Sequence, residues 1–91
     1  MIIRYFATLR EITRQREQVW NQPVTTVQDL LQALCTKYGP EFRRWMVDEN
    51  GNFGGFSVVL VNGVDYRELD GMETHLKPSD TIAIFPPVAG G

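Results

Sequence analysis

The chain is poor in the residue types from which most catalytic and metal sites are built. Of its 91 residues one is cysteine and one is histidine. The single cysteine, Cys35, excludes an internal disulfide and a thiolate metal cage, and its isolation suits a reducing compartment. The single histidine, His75, lies in DGMETHLKPSD (70–80) without the cluster of further ligands that a metal site requires. His75 therefore reads as a surface residue, and no metal is expected. Long apolar runs are also missing: no segment approaches the ~18 residues that span a bilayer. The opening MIIRYFATLRE carries arginine inside its apolar stretch, unlike a secretory signal. Positive charge is not in surplus either. A net charge of −2 and a pI of about 5.2 argue against nucleic acid, whose binding draws on excess Lys and Arg. Internal repeats and low-complexity segments are absent. These absences leave a small, soluble, cytoplasmic protein with neither nucleic acid nor membrane as partner.

What is present is ordinary globular composition, 43% hydrophobic and 22% charged, in a length that holds one core. Residues 1–91 are read as a single domain. IIRYF (2–6) is β-branched and aromatic and predicts a first strand; ATLREITRQRE (7–17) predicts a loop or short helical turn, and QVW (18–20) a second strand. Val27, Leu30, Leu31, Leu34, Cys35 and Tyr38 fall on one helical face. Thr25-x-x-Gln28 and Thr26-x-x-Asp29 each offer a capping-box start, and Gly39-Pro40 supplies the stop. Phe42, Trp45 and Met46 have the spacing for one more helical turn. SVVLV (57–61) predicts a buried strand, Asn62-Gly63 a hairpin turn, VDYREL (64–69) its partner strand and TIAIF (81–85) the last strand. One main helix on one face of a mixed sheet is an α+β roll, and pairing the first and last strands in parallel at the centre makes it a β-grasp.

The body of the chain offers little chemistry. GNFGGF (51–56) is glycine-rich but lacks the GK[ST] ending of a phosphate loop, so it reads as a flexible turn. Arg43-Arg44-Trp45 sets charge beside an aromatic, which on an acidic protein reads as a solvated edge over a core tryptophan. Arg10, Arg14 and Arg16 form a basic stretch that is either a docking patch or a solvated loop. Cys35 sits on the apolar helix face, where a thiol behaves as an inert hydrophobe.

The end of the chain is different. Pro86 and Pro87 have no backbone N–H, so the last strand cannot extend its ladder past Phe85. The residue before a proline is held extended, which sets the exit direction. Val88 and Ala89 are small anchors. Gly90 and Gly91 can lie in a channel too narrow for any side chain. The terminal carboxylate is ionised at neutral pH and a poor electrophile, so acyl transfer would need prior activation by a separate, ATP-using enzyme.

FPPVAGG (85–91) preceded by LKPSDTIAI (76–84), together with RYFATLREI (4–12), the helix after TTVQDLL and the VNG hairpin, resembles the MoaD family of ubiquitin-like sulfur carriers over nearly the whole chain. The resemblance implies a β-grasp with 86–91 as a functional tail. It implies that a MoeB-like enzyme adenylates the Gly91 carboxylate with ATP, that a sulfur donor enzyme then converts it to a thiocarboxylate, and that the tail enters a MoaE-like large subunit of molybdopterin synthase. The chain itself would be a non-catalytic carrier that binds no cofactor. Phe85, Pro86, Pro87, Val88, Ala89 and Gly90 would guide the tail, with Phe6 and Arg10 docking beside it. The resemblance extends to carriers for cysteine or thiazole synthesis and to covalent protein modifiers, although thiazole carriers are usually shorter and lack the double proline. Met46–Phe56 is longer and more glycine-rich than in compact members. A plain β-grasp binding module, working through its surface alone, is the remaining reading.

Overall fold

Ile3 and Tyr5 are fully buried while Ile2 and Arg4 face outward, the period-two alternation of a strand covered on one side. In the computed structural model, which describes residues 1–55 and 57–87, this strand is β1 (Ile2–Tyr5). It pairs antiparallel with β2 (Glu17–Val19) and parallel with β5 (Thr81–Phe85). β5 pairs on its other side with β3 (Val58–Val61), which turns through Asn62-Gly63 into β4 (Val64–Asp65). The strand order β2-β1-β5-β3-β4 puts the first and last strands in parallel at the centre, the β-grasp expected from the element order. The register aligns Ile3, Ile82 and Val61 in one row and Tyr5, Ile84 and Val59 in the next, and all six are buried.

Those rows lie under α2 (Val27–Tyr38), which buries Val27, Leu30, Leu31, Leu34 and Cys35. Of the two capping boxes available, Thr26/Asp29 is used: the Asp29 N–H donates to Thr26 Oγ1 at 3.2 Å, and the Thr26 N–H donates to Asp29 Oδ2 at 3.1 Å. Gly39, at φ +85°, ends the helix and donates its N–H to the Cys35 carbonyl at 2.9 Å. Pro40 then starts α3 (Pro40–Met46) at the position where a missing N–H costs nothing. Phe42 and Met46 are buried, and the edges of the Tyr5–Phe42 and Tyr5–Tyr38 pairs tie both helices to β1. A third helix, α1 (Thr8–Thr13), follows β1 where a loop or short helical turn was expected.

Four boundaries depart from the sequence reading, the smallest being that β3 starts at Val58 rather than Ser57. β1 stops at Tyr5 rather than Phe6, although the Phe6 N–H still donates to Ile84 O at 3.2 Å. β2 covers 17–19 rather than 18–20. The strand expected over 64–69 is only Val64–Asp65. The Asp65 carboxylate accepts the Arg67 N–H at 2.9 Å and caps a 3-10 turn, Tyr66–Glu68, that carries Tyr66 inward to near-complete burial. A local side-chain cap outcompetes the ladder there.

Candidate functional site

β5 runs up the middle of the sheet, so the chain leaves the fold from its centre, and Pro86 and Pro87 end the ladder there. Pro86 is buried and Pro87 half-buried. The parallel pairing of β1 with β5 sets Phe6 beside Phe85, and their rings stack with centroids 4.1 Å apart and planes 11° from parallel. Arg10, one turn into α1, folds back so that its Nε donates to the Tyr5 carbonyl at 2.9 Å while its guanidinium lies 5.2 Å from the Phe6 centroid. Ala7 makes this tight return with φ 52° and ψ −130°, a conformation strained for any residue with a Cβ. Phe6, Arg10 and Phe85, assigned to docking from sequence, thus form one cluster at the exit of the last strand. Arg14 and Arg16 do not join it; both are exposed, Arg14 as the left-handed cap of α1. Val88, Ala89, Gly90 and Gly91 lie outside the described residues.

A groove beside Pro87 went unrecognised in the sequence. Arg44, Trp45, Val47, Asp48, Glu49, Gly54 and Gly55 line an open groove of about 650 Å³ that is closed on one side by Pro87. The glycine-rich stretch in its wall is not the flexible turn expected. Val47 and Phe53 form an antiparallel bridge, Asp48 Oδ1 accepts the N–H groups of Asn50 at 2.8 Å and Asn52 at 3.0 Å, and the Arg67 guanidinium donates to the carbonyls of Gly54 and Gly55. Gly54, at φ +115°, leaves room for the Tyr66 hydroxyl, which an added Cβ would meet at 3.3 Å. The sequence signal was present in Asp48-x-Asn50, an Asx turn start, rather than in the glycines.

The remaining titratable groups are shielded rather than poised. Burial pushes the Cys35 thiol above its ordinary value of 9.0, opposed by the Arg43 charge. Burial raises the Tyr5 phenol far above 10.0, reinforced by the Tyr38 hydroxyl, and raises Tyr66 against the Arg67 charge. A thiol kept protonated is a weak nucleophile. His75 is exposed and pairs with Thr26 through its backbone alone. Among the described residues no group of three or more His, Cys, Asp or Glu could hold a metal ion, and no helix is long and apolar enough to cross a membrane. Among the described residues, the arrangement holds Phe85, Pro86 and Pro87 at a fixed place and direction.

A family model described as the ThiS family matches residues 3–91. Small archaeal modifier protein 3 of Haloferax volcanii is 39% identical over 90 residues, covering 98% of this chain and 96% of the relative. Among solved structures, small archaeal modifier protein 1 from Methanosarcina acetivorans has a TM-score of 0.79 and 36% identity, over 99% of this chain and 94% of that one. A protein of Pyrococcus furiosus described as a candidate molybdopterin converting factor, subunit 1, has a TM-score of 0.71 and 25% identity, over 96% and 95%.

Proposed function

This chain belongs to the ThiS family, in the MoaD/ThiS group of ubiquitin-like sulfur carriers and protein modifiers, and on that premise we propose that its working group is the Gly91 carboxylate, activated by a separate adenylating enzyme. A carboxylate oxygen attacks the α-phosphorus of ATP, pyrophosphate leaves, and an acyl-adenylate forms. Two nucleophiles can then displace AMP at the same carbon. A protein lysine, as the free amine, gives an amide; a hydrosulfide equivalent gives a thiocarboxylate. The body of the chain contributes no group to these bonds. It contributes the rigid root at Phe6, Arg10 and Phe85, beyond which Pro86 to Gly90 guide the reacting end into a partner.

The observation that carries this reading is the exit of the central strand through two prolines toward a Gly-Gly end, with the Phe6–Phe85 stack fixing where it leaves. The lysine route leads, because the two modifiers reported above, at 36–39% identity, are more similar than the candidate molybdopterin converting factor at 25%. Delivery of sulfur to a pterin, with a MoaE-like large subunit and a sulfur donor enzyme as partners, is the second reading. FPPVAGG and the Pyrococcus furiosus structure at 25% identity favour it.

Accurate-mass spectrometry of protein from its native cells separates the routes. Branched tryptic peptides carrying residues 68–91 on a lysine of another protein support the modifier, since trypsin does not cut at Lys77-Pro78. Sulfur in place of one oxygen, localised to Gly91 rather than to one of the three methionines, supports the carrier. A bare carboxylate in every condition, with the adenylating enzyme present and active, contradicts both.

A further inference from the structure

The groove beside Pro87 has the anatomy of a recognition surface that the tail alone does not explain. Its floor is apolar, formed by half-buried Trp45, Val47 and Pro87, and its rim is charged, with Arg44, Asp48 and Glu49 exposed. Among the described residues the one ion pair is Arg4–Glu17, so these three rim charges have no salt-bridge partner within them. An apolar floor with a charged rim, centred on Trp and Arg, is how protein interfaces are built. The wall is preformed: Asp48 and Arg67 fix the loop, and the Ser57 hydroxyl donates to the Trp45 carbonyl at its base. A surface ordered before contact loses less entropy on binding.

Chain length identifies the occupant. On the function proposed above the reacting carboxylate is that of Gly91, four residues beyond Pro87, a reach of about 14 Å when fully extended. An enzyme whose ATP-bound catalytic atoms meet the Gly91 carboxylate must bring its surface against the root of the tail. We infer that the groove formed by Trp45, Val47, Glu49 and Pro87 receives a loop of the adenylating enzyme, one that presents an apolar side chain to the floor and a basic group to Glu49. The groove thereby selects which enzyme activates this chain. The inference rests on the function proposed above and adds the surface by which the partner is recognised.

The test is ATP–pyrophosphate exchange by the adenylating enzyme purified from the same cells, with this protein as the varied substrate. Glu49→Arg is expected to raise KM about tenfold, leave kcat within about twofold, and leave the melting temperature unchanged. A chain lacking Gly90 and Gly91 is expected to inhibit exchange competitively, with an inhibition constant near the parent KM, and to lose that inhibition when it also carries Glu49→Arg. KM within about twofold of the parent for Glu49→Arg, with the parent active, overturns the groove assignment and leaves the function standing. Self-association of the parent that Glu49→Arg abolishes, with KM unmoved, gives the groove to a second copy and overturns it equally. A parent chain that supports no exchange overturns the proposed function and the groove with it.

Discussion

Phe6 takes part in two contacts at once: its ring stacks on Phe85 and lies under the Arg10 guanidinium, while its backbone N–H extends the central pairing by one bond. An aromatic pair contributes ~0.5–1.5 kcal/mol beyond its buried area. Phe6→Ala should therefore cost about 1–2 kcal/mol by denaturant unfolding and also raise the KM for activation, because the tail root loses its direction. A variant that loses stability but activates with the parent KM would make the stack purely structural. Cys35, Tyr5 and Tyr66 give a second expectation. Burial raises all three above their ordinary values, 9.0 for the thiol and 10.0 for the phenols, so they stay protonated in the fold when the unfolded chain has begun to ionise. Where the native state holds more protons, stability falls as pH rises. Their contribution is flat below about pH 9 and declines above it, which melting temperatures taken from pH 7 to 11 will show; a flat profile to pH 11 contradicts the burial of these groups. The nature of these residues was readable in advance. Cys35 shows its inertness by lying on the apolar stripe of a helix, whereas Phe6 and Arg10 were singled out only by resemblance to a family's docking region and Phe85 only as the start of its tail motif. That Phe6 and Phe85 stack depends on the parallel register, which no local pattern encodes.

At the scale of elements, legibility follows how local the stabilising interaction is. α2 was readable to its caps, because Thr26, Asp29 and Gly39 act within one turn of the helix they bound. β1, β3 and β5 were readable because each is a short run of β-branched, apolar or aromatic residues. β4 was overextended, since Tyr-Arg-Glu-Leu looks like strand until Asp65 caps a 3-10 turn and Tyr66 finds a buried place. The loop of residues 47–55 was misread for the opposite reason. Its glycines advertise freedom, whereas Asp48 and Arg67 remove it, and Arg67 lies too far along the chain to be associated with Gly54 by inspection. The packing of α2 gives a direct check. Leu31 is 1% exposed over the two central sheet rows, so Leu31→Ala should cost ~2–5 kcal/mol. A loss under about 1 kcal/mol would mean that the helix does not pack on the sheet in this register.

At the scale of the whole molecule, the described residues form one packed body, and the function proposed above places the reacting group beyond it. The hydrophobic core lies between the sheet and α2, and the groups that lining and burial make inert sit within it. The Phe6–Arg10–Phe85 cluster and the groove of Trp45 and Pro87 draw on the first ten residues, the middle of the chain and its last strand, and both meet the chain where it leaves β5. Gly91→Ala should accordingly leave the melting temperature within about 1 °C while cutting adenylation at least tenfold, since ~1.4 kcal/mol at the reacting carbon is a factor of ten in rate; a large drop in melting temperature would place Gly91 in the core instead. The most direct measurement is ATP–pyrophosphate exchange by the purified adenylating enzyme with either the full chain or the chain lacking Gly90 and Gly91. Exchange that requires the full chain and vanishes with the truncated one is the expected result. Equal exchange with both chains would show that the terminal carboxylate is not the activated group.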